Sequence, residues 1–219
     1  MTPLQIFIGY DRHIPAAYHV AAHSILSRSS VPVSITPLHL PSLPMTREPN
    51  PLQSTEFSFS RFLVPYLSGY DGWSLFMDND MLVLGDIAEL FALADPAYAV
   101  QVVKHDHRPA ESVKFLGELQ TTYQRKNWSS VMLFNNERCT DLTPEYVNTA
   151  TGLELHQFVW ADRIGSLPAE WNHLVGYDDP TKPAKILHYT SGGPYYKATS
   201  DCQFASEWLE EHHQATRLL

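Results

Sequence analysis

The sequence predicts an α/β protein with a mostly parallel central sheet flanked by helices, and three stretches carry that prediction. The chain opens with a short apolar strand, Leu4, Ile6, Phe7 and Ile8, that ends at Gly9, Tyr10 and Asp11. Apolar residues then recur at helical spacing from about Pro15, through Ala17, Val20, Ala21, Ser24 and Ile25. Strand, polar turn and helix in that order are how an α/β domain begins. The second stretch, Trp73 to Asp86, is an apolar strand broken by Asp78, Asn79 and Asp80 before Leu82, Val83 and Leu84 resume it. The third is a late strand, Ile186 to Tyr189, that runs into Thr190, Ser191, Gly192, Gly193 and Pro194.

The remaining elements follow in order. A strand from Val33 to Leu40 leads into Pro37 to Pro51, where Pro37, Pro41, Pro44, Pro49 and Pro51 remove backbone donors and predict a long surface loop. Phe59, Phe62, Leu63, Tyr66 and Leu67 fall at the spacing of a core-facing helix, opened by Ser54, Thr55 and Glu56 and kinked or shortened by Pro65. Arg61 lies off that stripe, as a solvated charge or as a contact for an anionic ligand. Asp86 to Leu93 reads as a short helix, and Tyr98 to Val103 as a strand ending in Lys104, His105, Asp106 and His107. That His-x-His is either a metal site or a polar loop. Asn127 to Asn135 reads as a strand with hydroxyl residues at its start. Leu155, Phe158, Val159 and Ile164 mark a helix and its exit, and Leu167, Pro168, Trp171 and Asn172 a turn. A terminal helix turns Phe204, Trp208 and Leu209 inward and Glu210, Glu211, His212 and His213 outward.

Composition narrows the function classes. The 219 residues suit one domain, 1–219, and 44% hydrophobic with 12% aromatic content marks it as globular. Lys+Arg 15 against Asp+Glu 24 gives a net charge of −9, and the basic residues form no block. This argues against nucleic acid or an anionic membrane as the main partner. An acidic protein that binds a polyanionic small molecule needs a cation between them. No apolar run approaches the roughly 18 residues that span a bilayer, so no transmembrane segment is expected. The N-terminus leads into a strand rather than a signal peptide, and a soluble, cytoplasmic protein is expected. Cys139 and Cys202 stand far apart with no partner motif, as free thiols do. There is no GxGxxG and no GxxxxGK[ST], so neither a dinucleotide fingerprint nor a P-loop is present.

Candidate chemistry gathers at the strand ends. In extended backbone Asp78 and Asp80 point to the same side and can converge on one cation, while Asn79 faces the other way. Two like charges side by side share a proton or find positive charge. A polar turn is the competing reading of Asp-Asn-Asp. At the carboxyl end of the first strand, where open α/β sheets bind ligands, Tyr10 can stack on a base. Asp11 can accept from a base or ribose, or simply cap the helix. Gly192 and Gly193 allow close backbone approach, with amides that can face a phosphate.

In combination these residues resemble glycosyltransferase family 8. The resemblance rests on a strand ending in GYD, an Arg-bearing helix, an apolar strand entering Asp-x-Asp, a strand ending in VMLFN, an LP…WN turn and a late His before a Gly-rich turn. It spans Ile6 to about Tyr196. It implies a GT-A fold, a nucleotide-sugar donor that is generally UDP-linked, and a divalent metal, usually Mn²⁺ with Mg²⁺ as the alternative. Carried over residue by residue, Asp78, Asp80 and His188 match the metal ligands and Arg61 the arginine before them. Ile8, Gly9, Tyr10, Asp11, Asn79, Gly192, Gly193 and Lys197 then belong to the donor site beside Arg61. The departures are specific. The family's NAGVMLIN appears as Trp128 to Asn135, its DQD as His156, Gln157 and Phe158, and Gly193 stands where a diphosphate-binding lysine would be.

The implied reaction is transfer of a hexose to a saccharide or other hydroxyl acceptor with retention, Gln157 lying nearest the reacting face and Arg61 meeting the donor. An inverting reaction needs a carboxylate base, for which Asp106 and Asp162 are the candidates. A catalytically silent module binding sugar nucleotide or glycan is the alternative suggested by the altered motifs. A haloacid dehalogenase-type phosphohydrolase is disfavoured, because its Asp-x-Asp comes on the first strand, with Thr or Val two positions beyond the second Asp.

Overall fold

The structure, a computed structural model, describes residues 2–48, 53, 55–105, 125 and 127–217. Asp106, His107, Ser54, Pro49 and Pro51 lie outside the described residues. Strand β1 (Leu4–Gly9) is followed by helix α1 (Pro15–Arg28), with proline in its first turn, and by β2 (Val33–Leu38). Then come α2 (Val64–Leu67), β3 (Trp73–Met77), β4 (Met81–Val83), α3 (Ile87–Phe91), β5 (Val100–Val102) and β6 (Val131–Asn135). The chain continues through α4 (Pro144–Thr149), α5 (Gly152–His156), β7 (Ile164–Ser166), β8 (His173–Leu174), β9 (Ile186–His188) and α6 (Ala205–Thr216).

Six strands form the main sheet in the order β2-β1-β3-β6-β5-β7. Pairing is parallel except on either side of β6, so β6 alone runs against the rest. The mostly parallel α/β sheet expected from the sequence is therefore present. A second sheet, β4-β9-β8, pairs Met81 with His188 in antiparallel register.

Alternation along the central strands divides the core into two layers. Ile6 and Ile8, Leu75 and Met77, and Val131 and Leu133 share one cluster with Ala21 and Ile25 of α1 and Ile87 and Leu90 of α3. Phe7, Phe76, Met132 and Phe134 face the other way, onto Phe57, Phe62, Leu155 and Trp160. A third cluster joins α1 to the small sheet and α6 through Val20, Leu82, Leu187, Tyr189 and Trp208.

Several expectations are corrected. The strand expected to reach Leu40 ends at Leu38 and contains Pro37, which an edge strand tolerates. The helix expected through Phe59–Leu67 is a 3₁₀ turn, Ser60–Leu63, followed by α2, which Pro65 starts rather than ends. The expected strand start at Asn127 is instead a 3₁₀ turn, Trp128–Ser130, entered through a left-handed Asn127. Val159 is 65% exposed, and Leu209 on α6 is exposed while Glu211 is 2% exposed. Trp208 and Glu211 are three apart and share the inward face, which turns Leu209 out. Cys139 and Cys202 are free thiols, and no helix among the described residues is long and apolar enough to cross a membrane.

Candidate active site

Strand β3 ends at Met77 and the chain bends through Asp78, Asn79 and Asp80 before β4 begins. The Asp78 N–H donates to the Ser130 carbonyl at 2.9 Å, which carries the β3–β6 ladder one residue past the strand. Asp78 to Asp80 form a bend that carries the chain from one sheet to the other, not the hairpin turn of the competing reading, and the two carboxylates converge there. Antiparallel β4–β9 pairing continues through the Tyr189 N–H, which donates to the Asp80 carbonyl at 2.9 Å, and so seats His188 beside Asp80. One ligand atom from each of Asp78, Asp80 and His188 lies within 4.8 Å of the others. His188 Nε2 stands 3.4 Å from Asp80 Oδ1.

A chain of hydrogen bonds fixes the imidazole. The Asn127 carbonyl can only accept, so the Ser130 hydroxyl donates to it at 2.7 Å. Ser130 Oγ in turn accepts from Asn172 Nδ2 at 2.8 Å. Asn172 Oδ1 is then left to accept from His188 Nδ1–H at 3.0 Å. With Nδ1 engaged by Asn172, Nε2, which faces Asp80, is the ring nitrogen left for a metal. Two carboxylates and one oriented imidazole, buried or nearly so, fit a divalent cation such as Mn²⁺ or Mg²⁺. The sequence signal for Asn172 was its place after Trp171 in the LP…WN turn; its partner Ser130 had none.

Arg61 is 6% exposed, not solvated. Its Nη1 meets Asp78 Oδ1 at 2.8 Å and donates to the Ser129 carbonyl at 2.9 Å. The guanidinium also lies over the rings of Phe57 and Phe76, at 5.3 and 5.0 Å. Ser129 Oγ contacts His156 Nδ1 at 2.8 Å. Burial, with the Arg61 charge beside it, pushes the His156 imidazole down to about 3.

The other predicted residues divide. Ile8 is buried in the sheet, and a Cβ on Gly9 would sit 2.4 Å from the Phe57 ring, so glycine there lets Phe57 close over the strand end. Tyr10 packs edge-on against Tyr18 and His39. Asp11 is 7% exposed and accepts from the His13 N–H at 2.9 Å, so it caps the turn after β1 while Ile14 holds the helix N-cap. Asn79 is 1% exposed. Gly192 adopts φ 104°, and Gly193 lies under the Tyr195 ring. Burial and the nearby Asp80 charge raise the Tyr195 phenol far above its ordinary value. Lys197 is exposed in a 3₁₀ turn.

Gln157 follows α5 and lines a cavity of about 540 Å³ with Lys104, Arg125, Trp128 and Asp162 among its walls. Trp128 in its wall is the chain neighbour of Ser129, whose carbonyl accepts from Arg61. The Asp162 carboxylate is engaged by Arg138.

No protein-family model matches the sequence. Protein CDI of Arabidopsis thaliana is 49% identical over 222 residues, covering 95% of this chain and 86% of that protein. Among solved structures, the bifunctional glycosyltransferase WbbM superposes with a TM-score of 0.63 at 16% identity, over 96% of this chain and 50% of WbbM. The Streptococcus pneumoniae glycosyltransferase GlyE gives 0.63 at 18%, over 97% of this chain and 60% of GlyE. The galactosyltransferase LgtC, solved with donor and acceptor sugar analogues, gives 0.59 at 12%, over 99% and 98% of the two chains. This chain thus spans about half of WbbM, three fifths of GlyE and nearly all of LgtC. The shared feature is the GT-A glycosyltransferase fold.

Proposed function

Because the chain belongs to the family of Arabidopsis thaliana protein CDI and carries an Asp-Asp-His cluster in a GT-A fold, we propose that it is a metal-dependent glycosyltransferase. The reading extends to a family 8-type enzyme, one GT-A domain over 1–219, that moves a hexose from a UDP-linked donor to a saccharide or other hydroxyl acceptor. It acts in the cytoplasm, where the free thiols Cys139 and Cys202 stay reduced. The observation that carries the proposal is the approach of Asp78, Asp80 and His188 to within 4.8 Å of one another.

Asp78, Asp80 and His188 would hold the metal, which when bound would supply Lewis-acid stabilisation to the departing diphosphate. Arg61 supports Asp78 from the core side and adds positive charge where negative charge develops. Ile8, Gly9, Tyr10 and Asp11 at the end of β1 bind the nucleotide, with Asn79, Gly192, Gly193 and Lys197 around the diphosphate. The bond between the anomeric carbon and the diphosphate oxygen breaks, the acceptor hydroxyl bonds to the same face of that carbon, and its proton leaves on the diphosphate. Gln157 lies nearest that face. Asp106 and Asp162 are the two candidates for the carboxylate base that an inverting reaction would use.

The test is thermal melting of the purified protein with UDP, GDP, ADP or CMP, each with and without Mn²⁺. A ligand that binds only the native state raises the melting temperature by linkage. The expected result is a UDP shift that needs Mn²⁺ and is lost in Asp80→Ala, followed by Mn²⁺-dependent UDP-sugar hydrolysis. A Mn²⁺-dependent UDP shift without hydrolysis or transfer would identify a silent binding module. No nucleotide shift at all would leave the Asp-Asn-Asp turn structural and end the proposal.

A further inference from the structure

The cavity beside Gln157 has a composition that a neutral sugar pocket does not need. Its aromatic walls are Phe158 and Trp128, and the Trp128 indole Nε1 donates to the His105 carbonyl at 2.9 Å, which fixes the plane of that ring. Two cations flank that ring, Lys104 Nζ at 5.7 Å and the Arg125 guanidinium at 5.4 Å from its centroid. Among the described residues both donate to main-chain carbonyls, Lys104 to Ile164 at 3.0 Å and Arg125 to Gln157. The carboxylate in the cavity wall, Asp162, is engaged by Arg138. In a chain of net charge −9, two cations set over one indole and paired with no carboxylate among the described residues make a local positive field.

We propose that this cavity is the acceptor subsite and that it selects a saccharide carrying a negative charge, a carboxylate or a phosphate. The inference rests on the glycosyltransferase reading above for the word acceptor, while the selectivity rests on the cavity alone. The apolar face of a pyranose stacks on Trp128. The acidic substituent meets Lys104 and Arg125, where charge-assisted hydrogen bonds are about twice as strong as neutral ones. The acceptor's hydroxyl then lies toward Gln157 in the cavity wall.

The experiment is calorimetric titration of the full chain with digalacturonic acid, galactose 6-phosphate, inorganic phosphate and the neutral disaccharide lactose, in low and high salt. The expected result is that at least one acidic sugar binds about tenfold more tightly than lactose, equivalent to about 1.4 kcal/mol, and weakens in high salt. In Lys104→Gln/Arg125→Gln that preference collapses, with the melting temperature confirming the fold of a variant altered only at exposed positions. Binding of one acidic sugar alone identifies the charged group as carboxylate or phosphate. Equal affinity for lactose, no affinity for either acidic sugar, a preference that survives the double variant, or inorganic phosphate binding as tightly as the sugar phosphate would overturn the proposal. The Mn²⁺-dependent UDP melting shift of the unaltered protein, read in parallel, reports the donor reading separately. A failure there leaves the saccharide titration intact as a test of the cavity.

Discussion

At the scale of single residues, the orientation of His188 depends on a neighbour that never reaches the ligand. Asn172 accepts from His188 Nδ1–H and donates to Ser130, which donates to the Asn127 carbonyl. A hydrogen-bond partner behind a metal-binding imidazole is worth about 10- to 100-fold in metal affinity. Asn172→Ala should therefore weaken Mn²⁺ binding by about that factor with Asp78, Asp80 and His188 intact, and a Mn²⁺ titration measures it. An unchanged affinity would show that the imidazole is held by β9 alone. His156 gives a prediction with a pH window. Its folded value is about 3 against an ordinary 6.5, through burial and the Arg61 charge. Between these values the unfolded chain binds the extra proton, so stability is complete above about pH 6.5 and falls as pH drops toward 3. The slope from this group is at most about 1.4 kcal/mol per pH unit, and less where solvent reaches the ring. Urea unfolding at pH 4, 5, 6 and 7 should show a shallower decline for His156→Gln than for the unaltered protein. Parallel curves would remove His156 as the source.

At the scale of elements, α6 is tied to α1 by a buried carboxylate. Glu211 is 2% exposed and meets His23 Nδ1 at 2.5 Å and Arg28 Nη2 at 2.7 Å. Burial pushes the Glu211 carboxyl up, and hydrogen bonds from Arg28 and His23 outweigh it, so the group lies below its ordinary value. Removing one partner of a buried pair leaves the others' charge uncompensated, so Glu211→Ala should cost about 3 kcal/mol in urea unfolding. A loss under about 0.5 kcal/mol would mean that Trp208 packing alone docks the helix. The short elements around the site rely on local chemistry in a similar way. Thr151 and Glu154 form a reciprocal capping box that starts α5, and Asp86 caps α3 through the Ala88 N–H.

At the scale of the whole molecule, the two sheets bring the site residues together. Arg61 sits against Asp78 and Asn172 accepts from His188, contacts that the protein's own side chains make. A chelator should therefore leave the circular dichroism spectrum unchanged while abolishing any UDP melting shift; loss of secondary structure in EDTA would make the ion a folding element instead. By itself the sequence determined the α/β class, strands β1 to β6 and β9, and the Asp78 and Asp80 pair, while His188 was matched to them through the family resemblance. Apolar alternation and interrupting carboxylates are local signals that survive in one dimension. The burial of Arg61 and Glu211, the 3₁₀ character of Ser60–Leu63 and Trp128–Ser130, strands β7 and β8, and the partnership of Asn172 with Ser130 were decided only in three dimensions. Each depends on a partner distant in the chain: Arg61 is buried because Asp78 and the Ser129 carbonyl receive its charge, and Glu211 because Arg28 and His23 do. A charged side chain with no visible partner reads as exposed in a sequence, and only the packed structure supplies the counter-charge that lets it enter the core.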